Sequence, residues 1–158
     1  MSVSLQPSAV LAVSSAALFA AHQVGDYWLQ THGQAMTKGG AGWAARAACA
    51  RHVLALVVVK VVALVVAFAV TGLPVRPGWW FAGLGVDAVS HYWADRRTTL
   101  RRLAGLLGPG KVAFFDLGTP RVGHDDKPCM GTGSAHLDQA WHHLFLFITA
   151  LILAWGAR

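Results

Sequence analysis

The chain has 158 residues, 55% of them hydrophobic and only 13% charged, with a formal net charge of +6, and its mean hydropathy is +0.48. This composition excludes an ordinary soluble domain and a disordered chain, and the length suits one domain. The positive charge gathers around one segment instead of spreading as a nucleic-acid patch, so nucleic acid is not an expected partner.

Apolar stretches at about 8–29, 47–70, 79–95 and 138–155 approach the ~20 residues that a helix needs to cross the hydrocarbon core. They predict an all-α polytopic membrane protein, a single integral membrane domain over 1–158 built as a four-transmembrane-helix bundle. Nothing positively charged precedes the first stretch, so it is expected to be retained and not cleaved as a secretory leader. In the second, the run 53–70 is interrupted only by Lys60. The third is diluted by Gly83, Gly85, Asp87, Ser90 and His91, which leaves a re-entrant segment open beside a full span.

Between the third and fourth stretches, 96–137 reads as a cytoplasmic basic segment followed by a long loop. Arg96, Arg97, Arg101 and Arg102 alternate with Leu100, Leu103, Leu106 and Leu107 at helical spacing. The pattern predicts a short amphipathic helix on the inner leaflet, where each basic residue contributes ~1 kcal/mol of attraction to anionic lipid headgroups. A plain positive-inside signal is the alternative. The remainder, 108–136, is rich in Gly, Pro and Asp and is expected to be loop, with His124, Asp125 and Asp126 as side chains that could add a ligand. The glycines near its end lack the lysine of a phosphate loop.

Lysine and arginine set the orientation. Lys38, Arg46 and Arg51 flank the first loop, and Arg96, Arg97, Arg101, Arg102, Lys111, Arg121 and Lys127 lie in the third, against Arg76 and Arg158 on the other side. Both termini are therefore expected outside. Six of the seven tryptophans fall near segment ends, where indole is favoured, and Trp43 is expected in a loop. Cys49 and Cys129 are expected as two thiols on the reducing side.

Histidine and aspartate recur four residues apart on three of the segments, as His22 and Asp26, His91 and Asp95, and Asp138 and His142; the remaining segment carries His52. A spacing of four puts both side chains on one helix face, and an ionisable residue in a membrane helix is a functional-site hypothesis by default. On this topology Asp26, His52, Asp95 and Asp138 lie near the cytoplasmic helix ends, and His22, His91 and His142 lie one turn deeper, about 6 Å further in. Imidazole with carboxylate suits a divalent metal, Zn, Mn or Fe. The same residues could instead form a proton relay or a structural hydrogen-bond network. Haem is the rival cofactor, but a haem pocket has no need of a carboxylate one turn from three of its histidines, whereas a metal-binding imidazole is commonly oriented by one. His32 and His143 lie outside the pattern and read as interfacial. Lys60 and Asp87 both come out near the midplane, where each alone would cost ~2.5–3.5 kcal/mol, so a buried ion pair is expected; otherwise Asp87 extends the His91 face as a further ligand.

The run His22-Gln-Val-Gly-Asp26-Tyr-Trp-Leu-Gln30-Thr31, followed by Met36-Thr-Lys38, resembles the first motif of the domain-of-unknown-function 3307 family of small bacterial integral membrane proteins. His52, His91-Tyr-Trp-Ala-Asp95 and Asp138-Gln139-Ala-Trp-His142 are similar to its later motifs, in the same order. The resemblance implies a bacterial inner-membrane protein and adds Gln30, Lys38 and Gln139 to the positions of interest, but it implies no activity. A looser similarity, to inner-membrane proteins labelled metal-dependent hydrolases, is one of pattern alone. The cluster's own chemistry best serves metal-assisted hydrolysis, with the metal acidifying bound water and a free Asp as base, and a place at the inner leaflet beside arginines suits a lipid-linked or phosphorylated substrate. A proton or ion carrier, and a structural or interaction protein without catalysis, remain the alternatives, and association of the chain into homo-oligomers is left open.

Overall fold

The computed structural model describes residues 6–74, 76–120, 123–124 and 131–158, and every element among them is helical. Helix α1 (Gln6–Val24) runs into a π-helical turn (Gly25–Leu29), followed by α2 (His32–Thr37), α3 (Gly42–Thr71), α4 (Pro77–Asp95), α5 (Thr98–Leu106), α6 (Pro109–Asp116) and α7 (Gly133–Trp155). Arg121, Asp125, Asp126, Lys127 and Cys129 lie outside the described residues.

Three helical stretches, Gln6–Leu29, Gly42–Thr71 and Gly133–Trp155, are long and apolar enough to cross a membrane. Helix α4 forms as expected but falls short of that composition, and the reason lies in which of its faces is polar. Asp87, Ser90, His91 and Asp95 are buried, whereas Phe81 and Val89 are exposed. Averaging over the sequence mixes an apolar outer face with a polar inner one.

The local signals account for the helix ends. Pro77 and Pro109 open α4 and α6 at the first turn, where a missing N–H costs nothing. Helix α3 stops at Gly72, which adopts the left-handed conformation at φ 65°. Thr31 and Gln34 form a capping box on α2, with Thr31 Oγ1 accepting from Gln34 N at 3.2 Å and Thr31 N donating to Gln34 Oε1 at 2.9 Å. At α7, Thr132 Oγ1 accepts from Ala135 N at 3.2 Å.

Several boundaries differ from the sequence expectation. Helix α3 begins at Gly42, so Trp43 lies in its first turn and not in a loop. Its 30 residues make a helix of roughly 45 Å, longer than the hydrocarbon core. The stretch 108–136 is not all loop, since it holds α6 and the start of α7. Phe115 of α6 is buried with Ala94, Leu100 and Ala104, a small satellite core that no periodicity in so short a segment could announce. A Cβ on Gly133 would lie 1.6 Å from Phe114 O, so only glycine lets α7 start this close to α6.

Helix α1 packs on α3 and α7, and α4 packs on α7 and α3, closing a ring of four long helices. One half of this bundle is apolar, with Val10, Leu18, Leu64, Phe68, Leu84, Leu146 and Leu153 in contact. The other half holds His22, His52, His91 and His142, all buried. Between the halves Lys60 Nζ donates to Asp87 Oδ2 at 2.6 Å, tying α3 to α4.

The predicted amphipathic helix is α5. Leu100 and Ala104 face inward and Leu106 is exposed. Arg101 forks onto Asp116 of α6, with nitrogen to oxygen distances of 3.2 and 2.8 Å. That guanidinium holds the exposed Asp116 carboxyl below its ordinary range, although so exposed a pair contributes little to stability.

Candidate metal centre

Helix geometry presents the donors in pairs. On α4, His91 Nε2 lies 3.4 Å from Asp95 Oδ2, and on α7 His142 Nε2 lies 3.4 Å from Asp138 Oδ2. At the end of α1 the pair straddles a change of helix type, with Asp26 in the π-helical turn and its Oδ2 3.5 Å from His22 Nε2. Single π turns recur at functional sites, because the extra residue re-aims the side chains beyond it. Gly25 opens this turn against Leu56 of α3, where a Cβ would meet Leu56 Cδ2 at 2.3 Å.

Tertiary contacts then bring the pairs together. Asp26 Oδ1 reaches His52 Nε2 at 3.0 Å and His91 Nε2 at 3.5 Å, and Asp95 Oδ2 reaches His52 Nε2 at 3.5 Å. Asp95 Oδ1 lies 3.9 Å from His142 Nε2. The two layers expected from helix depth therefore merge into one cluster. Three overlapping sets offer donor atoms all within 4.8 Å of one another: Asp26, His91 and His142; His52, His91 and Asp95; and Asp95, Asp138 and His142. Each could hold a metal ion.

His22 stands behind these sets and not in them. Its Nε2 is 3.2 Å from Gln139 Oε1, and Gln139 Nε2 donates to Asp26 Oδ2 at 2.9 Å, so His22 and Gln139 together orient Asp26. Gln30 Nε2 lies 2.9 Å from His52 Nε2. Of the two histidines read as interfacial, His32 is exposed. His143 is half-buried against the Phe19 and His22 rings, with its Nε2 3.4 Å from Gln23 Nε2.

The cluster is covered on one side by the segment after the π turn. Lys38, buried at the end of that segment, places Nζ 2.6 Å from Asp95 Oδ1. Arg96 clamps the segment from below, donating to Lys38 O at 2.5 Å and to Gly40 O. Arg97, at a strained φ of 55°, donates to Ala35 O at 3.1 Å. Of the four arginines assigned to lipid headgroups, Arg96, Arg97 and Arg101 thus hold protein groups, and Arg102 is exposed. On the other side Asp138 is the most accessible acid of the cluster, its side chain 24% exposed. Asp87 points to Lys60 and joins none of the three sets.

Sequence spacing alone could not find the Lys38 to Asp95 contact, because the partners are distant in the chain and Lys38 lies on no apolar helix. Trp141 is expected at a segment end, but α7 begins earlier, and the indole lies against Trp93 and Phe145 while Nε1 donates to Ser90 O at 3.3 Å. Cys49 is buried, with Sγ 3.7 Å from Tyr92 O.

Among the described residues, both ring nitrogens of His91 and of His142 and Nδ1 of His22 are buried without a hydrogen bond, as is Asp95 Oδ2, while Asp95 Oδ1 has the Lys38 ammonium. Buried polar atoms left in that state are costly and rare, and an ion is one of the few things that satisfies them. No family model, curated protein or solved structure matches the chain.

Proposed function

We propose that this chain is a multi-pass protein of the bacterial inner membrane that binds a divalent cation, Zn, Mn or Fe, at its His/Asp cluster and hydrolyses a lipid-linked or phosphorylated substrate there. The observation that carries the reading is the set of buried ring nitrogens on His91 and His142 left without a hydrogen bond, gathered from α4 and α7 within reach of the Asp26, Asp95 and Asp138 carboxylates and of His52. Imidazole and carboxylate in this mixture favour a borderline transition metal over Mg or Ca, which prefer oxygen alone. Haem is disfavoured by the rings themselves, because His91 and His142 stack at 3.7 Å between centroids and leave no gap for a porphyrin.

When bound, such a cation supplies Lewis-acid polarisation of a phosphoryl or carbonyl oxygen and makes nearby water more acidic. The protein supplies the remaining parts. Asp138 stands at the open side and accepts a proton from the attacking water, whose oxygen bonds to the substrate centre as the ester bond breaks and the proton passes to the leaving oxygen. On the covered side the Lys38 ammonium offsets one of the aspartate charges, at Asp95. An apolar groove of about 480 Å³ between α4 and α7, lined in part by Val89, Trp93, Trp141 and Phe145, supports a lipid-linked substrate, since it is formed by the two helices that carry His91 and His142. The resemblance of the motifs to the domain-of-unknown-function 3307 proteins supports the membrane setting.

Helix α4 is proposed as a fourth span, with both termini external and the cluster near the cytoplasmic face. Its apolar outer face and buried polar inner face are what a lipid-exposed helix of a polar-cored bundle requires.

A second reading, a proton carrier, draws on the contact between imidazoles, with His22 to His142 at 5.2 Å, His22 to His91 at 5.6 Å and His52 to His91 at 5.3 Å between centroids. One experiment separates the two. Elemental analysis of detergent-purified protein after incubation with Zn, Mn or Fe(II) should show at least one ion per chain in wild type and none in a His91→Ala, His142→Ala double variant. Wild type without metal would overturn the reading, and proton flux in liposomes from the same preparation would then assign the cluster to transport.

A further inference from the structure

We infer that the cluster takes two divalent cations side by side, bridged by the Asp95 carboxylate, and that the second cation is balanced by a phosphoryl group of the substrate. This rests on the metal-binding reading above and extends it from one ion to a pair.

The geometry of two rings carries the argument. An imidazole nitrogen donates in the plane of its ring. His91 and His142 are stacked with centroids 3.7 Å apart and planes within 15° of each other, and both turn Nε2 toward Asp95. Their lone pairs therefore run nearly side by side and aim at two points about one ring spacing apart. The donor sets divide accordingly: one joins both rings through Asp26, but the other two assign His91, with His52, and His142, with Asp138, to separate groups that share only Asp95. The ring spacing matches the ~3.5–4 Å between the metals of hydrolytic two-metal sites.

The carboxylates divide in the same way. Asp95 directs Oδ2 toward His91 and His52, at 3.4 and 3.5 Å, and Oδ1 toward His142, at 3.9 Å. Asp26 Oδ1 joins the His52 and His91 side at 3.0 and 3.5 Å, and Asp138 Oδ2 joins the His142 side at 3.4 Å. One ion would thus take His52, His91, Asp26 and Asp95, and the other His142, Asp138 and Asp95. A carboxylate oxygen has two lone pairs, so Asp95 Oδ1 can keep Lys38 while it binds an ion. Asp138, ligating through one oxygen, keeps the other for the proton.

Charge identifies the class of substrate. With neutral imidazoles, three aspartates and the Lys38 ammonium leave the cavity doubly negative. One divalent ion neutralises it, and a second makes it doubly positive, a state that low-dielectric surroundings penalise strongly. A phosphate monoester dianion removes that excess, and its oxygens can bridge paired metals. A neutral ester or amide does not.

The test is to load detergent-purified wild type with Mn²⁺, with and without inorganic phosphate, and to measure bound Mn per chain together with its electron paramagnetic resonance. Two Mn per chain with phosphate, and the spectrum of an exchange-coupled pair, are expected; Asp138→Asn should halve the stoichiometry and return the spectrum to an isolated ion. One Mn per chain in both arms of the wild type would overturn the pair and leave the single-metal reading standing. No bound Mn, Zn or Fe would overturn both.

Discussion

Lys60 Nζ lies 2.6 Å from Asp87 Oδ2, with the lysine side chain fully buried and the aspartate 4% exposed. The pair sits between the apolar half of the bundle and the His/Asp cluster, and it is one of the polar ties of α3 to α4, beside His52 with Asp95. Breaking a buried pair by removing one partner is typically worth ~3–5 kcal/mol, since it strands the other charge. Lys60→Met and Asp87→Asn should each lower the thermal stability of the detergent-solubilised protein by that order, and the double variant should recover most of the loss. A double-mutant cycle with coupling below ~0.5 kcal/mol would remove the pair from the account of stability.

Gln139 holds Asp26 from α7 and touches His22, without itself belonging to any of the three donor sets. Partners of this kind usually change metal affinity by ~10–100-fold when removed. Gln139→Ala should weaken Mn²⁺ or Zn²⁺ binding within that range, read by titration with a competing chelator, while the helix content by circular dichroism stays that of wild type. Unchanged affinity would reduce Gln139 to a packing residue.

Gly25 begins the π turn where Leu56 presses closest, and a Cβ there would collide with Leu56 Cδ2. Overpacking of this sort costs ~1–3 kcal/mol. Gly25→Ala is expected to lower stability by about that amount and to weaken metal binding, because the turn carries Asp26. Adding Leu56→Ala should restore binding even though it creates its own cavity. Failure of the second substitution to restore it would separate the turn from the position of Asp26.

Lys38 places a cation against Asp95 before any metal arrives. Replacing it by an uncharged chain of similar length removes that competition, so Lys38→Met should tighten divalent cation binding by on the order of 10-fold, an attenuated share of the Coulomb repulsion between neighbouring cations. Weaker binding in this variant would mean that Lys38 chiefly holds the covering segment in place.

For topology, reporters fused after Gly108 should read cytoplasmic and those fused after Arg158 external, as the distribution of Lys and Arg requires for four spans. Opposite sides at these two points are the signature that α7 crosses. A periplasmic signal at Gly108 would invert the orientation and carry the cluster to the outer face, since the relative depths of its residues do not change.

The part of this molecule legible in its sequence is local. The apolar runs specify long helices, and a spacing of four places His91 with Asp95 and Asp138 with His142 on single faces, because helical geometry relates such residues without any outside help. The cost of burying a lone charge was enough to connect Lys60 with Asp87. The contact of each pair with the next came from tertiary packing alone. Asp26 meeting His52, Lys38 meeting Asp95, and the stacking of His91 on His142 depend on how the long helices rotate and slide against one another. Hydropathy constrains that rotation only coarsely. Short elements were equally out of reach: α2 and α6 are too brief to show a period, and their helices depend on a capping box at Thr31 and on the burial of Phe115. The same limit explains α4, whose hydropathy looks weak in sequence because its polar residues are sequestered on the one face that the other helices cover.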